Sequence, residues 1–170
     1  TFLPEADFAE SAKRLDRKRL MKQRIENLQV LKSLAGLYSS GAWKNHPAVK
    51  MWAGHEDWLM LYNEAILKEV FLRGYKDNTH LEFDNIFETH FLGMESEKPW
   101  WLGDFNLHYT HKGRLFEKDP ELFKVVVEHY IKMGLDLFYA FTNCYKSFKK
   151  NSELFRKVVD YLKKTLSCLE

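Results

Sequence analysis

The alternation of apolar and polar residues along the chain predicts a protein built mainly of helices. The cleanest pattern spans residues 14–37, where good helix formers continue without proline or glycine until Gly36. At about 100° per residue, one side of this predicted central helix is mostly apolar. That side carries Met21, Ile25, Leu28, Lys32 and Ala35, and the other carries Leu15, Arg19, Lys22, Gln23 and Glu26. A single carboxylate therefore lies among basic and amide side chains.

Start and stop signals predict helices on both sides of this segment. A capping-box pattern at residues 7–10 predicts a short helix from Phe8 to about Lys13, which is able to run on into the central helix. Pro47 marks the first position of a second long helix that extends to residue 74. Gly54 lies inside this helix at a cost of about 1 kcal/mol relative to alanine. We expect either a close approach to the backbone there or a helix crossing.

The rest of the chain predicts a less regular middle and a helical end. Residues 75–107 lack a clean period, which predicts short helices or irregular loop, and residues 99–104 are predicted as a turn with exposed aromatics. An Asp-Pro-Glu helix start at residue 119 opens the C-terminal part. Helices are expected there at residues 119–133, 135–148 and 152–169.

Together these patterns predict an all-α fold. We expect a single compact helical domain over residues 1–170, with long central helices and an irregular, loop-rich middle segment. Residues 1–133 are its core, and residues 134–170 are additional C-terminal helices. A chain of 170 residues with 45% hydrophobic content can bury one good core.

Charge and cysteine content narrow the possible partners. The net charge is only +2, so affinity for nucleic acid must come from local clusters of basic residues, one at residues 13–24 and another at residues 146–150. The two cysteines, Cys144 and Cys168, form no metal motif, and we expect passive thiols. The sequence has no signal peptide and no apolar run of membrane length. We therefore expect an intracellular protein, in the cytoplasm or nucleoid, or in the nucleus if the source is eukaryotic or viral.

The first residue offers a candidate nucleophile. Thr1 is small enough for a preceding methionine to be removed, so we expect a free α-amine, whose reference pKa of about 7.7–8.0 leaves it partly neutral at cellular pH. An amine, one carboxylate and a cationic face are a coherent set for attack on an electrophilic carbon of an anionic substrate. Two simpler readings stand beside this one. In the first, Thr1 is only the residue at which a processed chain starts. In the second, the basic face is a solvated surface with ordinary ion pairs, such as Lys22 with Glu26.

Three long stretches carry a resemblance to a known family. They read TFLPEADFAESAKRLDRKRLMKQRIENLQVL, KNHPAVKMWAGHEDWLMLYNEAILKEVFLRGY and PWWLGDFNLHYTHKGRLFEKDPELF. The chain resembles the pyrimidine-dimer DNA glycosylases, and most closely a cellular and viral branch of them with the pattern TFLP…LD…RL.KQR.E…NHPA..MW.G. The resemblance covers roughly the first 125 residues.

The resemblance implies a DNA repair enzyme. It implies glycosylase and abasic-site lyase activity on double-stranded DNA with a damaged or modified base, a pyrimidine dimer first, without metal or organic cofactor. It also implies that the amine of Thr1 is the nucleophile and that Glu26 is the catalytic carboxylate beside a Schiff-base intermediate. We expect a monomer. The alternative is a non-catalytic helical DNA-binding protein that retains the family shape.

The expected DNA contacts differ from those of the family's phage prototype. Phe2 and Ile25 stand where the prototype has arginines, so other residues are expected to contact DNA. These are Arg19, Lys22, Gln23, Arg24, His46, His108, His111, Lys112 and Arg114. Arg24 lies near the apolar side of the predicted helix, which favours a partly buried ion pair over a phosphate contact.

Histidines and tryptophans complete the set of candidates. The seven histidines offer only pairs of possible ligands, and we predict no metal site. His46 is expected to cap or pack at a helix start, whereas His108 and His111 are expected to contact phosphate. The Trp100-Trp101 pair is a candidate for base stacking, and Trp52 and Trp58 are predicted to be buried.

Overall fold

The computed structural model describes residues 1–41 and 43–118 of the chain. Within these residues the backbone forms six helices and no strand. They are α1 (Phe8–Arg14), α2 (Arg17–Leu34), α3 (Pro47–Trp52), α4 (Glu56–Leu72), α5 (His80–Phe91) and α6 (Phe105–Lys118). The prediction of an all-α fold is confirmed.

Two compact units divide the chain, Thr1–His111 and Lys112–Glu170. The first unit contains α1 to α5 and the beginning of α6, and it holds the candidate site. The helices predicted from residue 119 onward, both cysteines and the basic cluster at residues 146–150 lie outside the described residues. The number of domains stays a prediction.

An aspartate caps the N-terminus of each of the first two helices, and an extended residue separates them. Asp7 caps α1, since its carboxylate accepts a hydrogen bond of 2.8 Å from the backbone N–H of Glu10. The helix then stops at Leu15, whose backbone is extended, and Asp16 caps α2 by accepting from the N–H of Arg19 at 3.0 Å. A continuous helix into the central one is therefore wrong. The carboxylate of Asp16 replaces the intrahelical partner that the first N–H groups of α2 lack.

The buried face of α2 differs from the expected apolar stripe. Ile25 is 42% exposed, and Met21 is only partly buried. The buried residues of α2 are Leu20, Gln23, Arg24, Asn27, Leu28, Val30 and Leu31. The predicted stripe is wrong because three polar side chains occupy core positions, where hydrogen bonds or an ion pair offset the cost of burying them.

The second long helix of the prediction is two helices. Pro47 opens α3, and His46 caps it by accepting a hydrogen bond of 3.2 Å at Nδ1 from the N–H of Ala48. Gly54, with a φ of +80°, lies in the left-handed region between α3 and α4. A Cβ placed on it would have no atom within 4 Å. Backbone conformation, and not a close approach, is what requires glycine here.

Aromatic side chains fill the centre of the first unit. Trp52 and Tyr62 are fully buried and stack with their ring centroids 5.8 Å apart. Phe8 packs on Tyr62 at 5.2 Å, and Trp101 meets Trp52 edge-on at 4.9 Å. The predicted turn around residue 100 is present, but it exposes only one of its two tryptophans. Trp100 is 86% exposed, whereas Trp101 is buried.

Candidate active site

The first residue of the chain meets the middle of α2. The amino nitrogen of Thr1 lies 3.1 Å from Oε2 of Glu26, so the structure brings together the two residues that the sequence predicts to be catalytic. The side chain of Glu26 is 18% exposed, and that of Thr1 is 3% exposed. The other carboxylate oxygen, Oε1, lies 3.6 Å from Nζ of Lys22, one helical turn earlier. One carboxylate therefore faces the amine of a partly buried residue on one side and an exposed lysine on the other.

Side chains from α2 and α4 hold the backbone next to this amine. The N–H of Phe2 donates to Oε1 of Gln23 at 2.9 Å, and the carbonyl of Phe2 accepts from the hydroxyl of Tyr62 at 2.6 Å. Burial raises the pKa of Tyr62 well above its ordinary value, and the negative charge of Glu26 adds to the effect. Tyr62 therefore keeps its proton and remains a donor to Phe2.

A row of buried amides fixes the orientation of Gln23. Its Nε2 donates to Oδ1 of Asn27 at 2.9 Å, and Nδ2 of Asn27 donates to Oδ1 of Asn63 on α4 at 3.2 Å. With the Nε2 end committed to Asn27, the acceptor end of Gln23 faces Phe2. Gln23 is only 1% exposed. The structure thus places this predicted DNA contact in the interior, where it holds the N-terminal segment.

Two histidines of α6 hold the next residue. His111 accepts a hydrogen bond of 2.9 Å at Nδ1 from the N–H of Leu3, and Nδ1 of His108 lies 2.8 Å from the carbonyl oxygen of Leu3. Nε2 of His108 accepts from the N–H of Gly103 at 2.9 Å. Both rings are buried. They were expected to contact phosphate, but the structure places them in the interior against backbone groups.

Arg19 and Arg24 lie on α2 with carboxylates as partners. Arg19 pairs with Asp16, the N-cap of its own helix. Arg24 is buried, and its NH1 group reaches Asp77 at 2.5 Å and Oδ1 of Asn78 at 2.8 Å. The ion pair predicted for Arg24 from its place near the apolar side is present.

Asp77 lies at the centre of a second polar cluster, whose other members are Arg24, Asn78, Thr79 and His80. Its fully buried carboxylate also accepts hydrogen bonds from the backbone N–H groups of Thr79 and His80 at 3.0 and 2.8 Å. Burial alone would raise the pKa of Asp77, but the hydrogen bonds from Thr79 and His80 outweigh it and hold the pKa well below the usual range. The cluster ties α2 to the start of α5 and so supports the helix that carries Glu26.

The remaining predicted DNA contacts are Lys22, His46, Lys112 and Arg114. Lys22 is 69% exposed beside Glu26. His46 is exposed at the start of α3, where its ring lies 4.5 Å from that of Trp43. Lys112 and Arg114 belong to the second unit, on the later turns of α6.

Sequence reasoning missed the residues that hold the N-terminal segment. Tyr62, Asn27 and Asn63 are not among the candidate residues that the sequence offers. A signal was present, since Gln23 and Asn27 occur at helical spacing between Leu20 and Leu31, where an uninterrupted stripe would be apolar. Amides at such positions indicate a buried hydrogen-bond network.

The described residues contain neither a group of metal ligands nor a membrane-spanning helix. Among residues 1–41 and 43–118, no three side chains of His, Cys, Asp or Glu are grouped closely enough to hold a metal ion. No helix in this part of the chain is long and apolar enough to cross a membrane.

Comparison with known proteins finds one family. Residues 1–83 match the sequence model of the pyrimidine dimer DNA glycosylase family. Neither the curated proteins nor the solved structures include a match to the chain. The matched residues contain Thr1, Glu26, Gln23 and Tyr62, whereas the two histidines of α6 lie beyond them.

Proposed function

We propose that this protein, of which residues 1–83 belong to the pyrimidine dimer DNA glycosylase family, excises a damaged base from DNA and then cuts the abasic site through an imine on its N-terminal amine. The observation that carries the proposal is the 3.1 Å contact between the amino nitrogen of Thr1 and Glu26. The proposal requires Thr1 to be the first residue of the mature chain, because a peptide bond at this nitrogen would remove its nucleophilic electron pair.

The first step replaces the base by the enzyme. The neutral amine of Thr1 attacks C1′ of the target sugar, so that an N–C1′ bond forms as the bond between C1′ and the base breaks. The base leaves with the bonding electrons and takes up a proton. Glu26 lies within hydrogen-bond reach of the amine and accepts the proton that the nitrogen must lose.

The second step opens the sugar and breaks the strand. The nitrogen electron pair expels O4′ from C1′, and O4′ takes up the proton that Glu26 accepted, which gives a protonated imine, a hydroxyl at C4′ and an ionised Glu26. The carboxylate of Glu26 stabilises this cation. Loss of a proton from C2′ then allows the C3′–O bond to break with departure of the 3′ phosphate, and water releases the sugar from the amine.

DNA contacts close to this site come from the exposed part of α2. Lys22 is exposed and 3.6 Å from Glu26, and we assign it to a phosphate beside the target nucleotide. Arg17 and Lys18 are exposed at the start of the same helix and extend the basic surface. Binding is therefore expected to weaken as salt rises, because each phosphate contact releases counterions.

The proposed substrate is double-stranded DNA with a damaged or modified base, a pyrimidine dimer first. We propose that the protein acts on it as a monomer inside the cell, and the chemistry above calls for neither a metal nor an organic cofactor. Reaching C1′ within a duplex requires local unstacking, which is easier at a damaged site and favours such a substrate.

Borohydride trapping tests the proposal. The protein is mixed with a duplex that contains an abasic site, or with an ultraviolet-irradiated duplex, and borohydride reduces any imine to a stable adduct. We expect an adduct with the native protein, none with a protein extended by residues before Thr1, and a much slower one with Glu26→Gln. An adduct on irradiated DNA identifies the base lesion as well. DNA binding without any adduct, from a protein with an unblocked Thr1, would favour the non-catalytic alternative.

A further inference from the structure

We propose that His108 and His111 are positioning residues, which place the amine of Thr1 for attack by holding both backbone polar groups of Leu3. This role rests on the proposed function. The two histidines lie on α6, beyond the residues that match the family, and neither contacts Thr1 in the described hydrogen bonds.

The partners of the two rings fix which nitrogens carry protons. A backbone N–H can only donate, so Nδ1 of His111 accepts from Leu3 and Nε2 of His108 accepts from Gly103. Because a neutral imidazole carries one proton, Nδ1 of His108 is the protonated nitrogen and donates to the carbonyl of Leu3. Both ring nitrogens of His108 are therefore hydrogen-bonded to backbone groups. This excludes it as a proton donor or acceptor for substrate in this arrangement and leaves positioning as its role.

The N-terminal segment depends on these contacts because it has no secondary structure of its own. Residues 1–3 belong to no helix, yet four successive backbone groups, from the N–H of Phe2 to the carbonyl of Leu3, each have a side-chain partner. Gln23 and Tyr62 hold Phe2, and the histidines hold Leu3. The side chain of Leu3 is fully buried and anchors the segment, whereas the two histidines fix the rotation of its peptide groups.

A small rotation at Leu3 would move the amine away from its target. Thr1 and Phe2 precede Leu3 in the chain, so a rotation of the peptide groups of Leu3 changes the positions of both residues. Attack on C1′ needs a distance of about 3–3.5 Å and correct alignment, and a misplacement of about 1 Å can cost about 100-fold in rate. Loss of the histidine contacts should therefore slow imine formation more than it weakens DNA binding, since neither buried ring lies at the surface.

A pair of substitutions at His111 separates positioning from packing. In His111→Asn the amide oxygen takes the place of Nδ1 and keeps an acceptor for the N–H of Leu3. His111→Leu removes the acceptor and leaves this buried N–H without it. The first-order rate of adduct formation is measured on abasic DNA at saturating protein, and the Kd is measured separately. We expect a loss of about 10- to 100-fold in rate for His111→Leu, an unchanged Kd, and recovery to within about threefold in His111→Asn.

A matched control accounts for lost stability. Ser96→Ala removes a hydrogen bond of 2.6 Å to Asp57, a contact that involves none of residues 1–3, and should leave the rate unchanged even where its melting temperature falls as far as that of the His111 variant. If His111→Leu does not fold, His111→Gln replaces it, because its amide oxygen reaches the position of Nε2 and so keeps polarity while it misplaces the acceptor. His111→Gln should then be slower than His111→Asn.

The outcomes distinguish this inference from the proposed function. A native protein that forms no adduct contradicts the proposed function itself. A native protein that forms the adduct, with a folded His111→Leu at the native rate, overturns the positioning role alone. The positioning role is also overturned if the rate of adduct formation falls equally in His111→Asn and in the variant compared with it, His111→Leu or His111→Gln. A fall in rate that a weaker Kd explains entirely has the same meaning.

Discussion

Replacement of Glu26 by glutamine removes the negative charge beside the amine of Thr1 and leaves the size of the side chain and one acceptor oxygen in place. A positive charge on the nitrogen of Thr1, as in the protonated imine, would be attracted to a carboxylate 3.1 Å away by about 5 kcal/mol at an effective dielectric constant of about 20. Water reaches the partly exposed carboxylate and reduces this value. Loss of one preorganised electrostatic contact in an active site commonly slows the reaction by about 10²- to 10³-fold. We expect Glu26→Gln to slow imine formation by that factor, which corresponds to about 3–4 kcal/mol.

The assay is single-turnover trapping on an abasic duplex, with DNA binding measured by anisotropy at the same salt concentration. Glu82→Gln is the matched control, because Glu82 also pairs with a lysine, Lys32, but is half-exposed on α5. Exposed pairs contribute little, so the rate of this variant should stay within about twofold of the native rate. The reasoning is refuted if folded Glu26→Gln forms the adduct at the native rate, since the charge would then have no part in stabilising the cation.

Three further predictions concern the surroundings of the site. Tyr62→Phe removes the donor to the carbonyl of Phe2 and should lower the free energy of unfolding by about 1–3 kcal/mol in urea denaturation, since a buried acceptor loses its partner. Asp77 has a lowered pKa, so its stabilising contribution is complete above the unfolded pKa of about 3.9 and is lost as pH falls below that value. Thermal unfolding between about pH 2.5 and 6 should thus show a shallower acid loss for Asp77→Asn than for the native protein. Lys22→Ala should weaken DNA binding and reduce the salt slope by about 1, whereas Lys68→Ala on α4 should change neither.

Each of these predictions has a result that would count against it. An unfolding free energy of Tyr62→Phe equal to the native value would mean that the contact with Phe2 is not formed in solution. An identical loss of thermal stability with falling pH in the native protein and in Asp77→Asn would contradict the lowered pKa of Asp77. Equal losses of DNA affinity for Lys22→Ala and Lys68→Ala would place the DNA elsewhere than on the exposed part of α2.

Local sequence signals predicted the ends of several elements correctly. The cap at Asp7, Pro47 at the start of α3 and the capping role of His46 all depend on groups within three residues of one another, which is the range that a local pattern can read. The break between α1 and α2 at Asp16 was not predicted, because an aspartate inside a run of helix formers serves equally as a surface residue or as an N-cap.

Contacts between distant parts of the chain could not be predicted in the same way. Periodicity placed Ile25 in the core, whereas the structure buries Gln23 and Asn27. Their hydrogen bonds to Phe2 and Asn63 offset the free-energy cost of burying polar side chains. The role of His111 depends on Leu3, 108 residues away in the chain. No window of sequence contains both residues. The pairing of Thr1 with Glu26 was expected because of the family resemblance, and not because of any local pattern.

The central claim, that the amine of Thr1 is the nucleophile, is tested most directly by mapping the trapped adduct. The protein, first shown by intact mass to begin with an unblocked Thr1, is trapped on an abasic duplex, digested, and analysed by tandem mass spectrometry. We predict the reduced sugar on the α-nitrogen of Thr1. Lys22 is an amine that also lies close to Glu26, with its Nζ 3.6 Å away, and it provides a sharp alternative. A sugar on Lys22, or no adduct at all, would contradict the account.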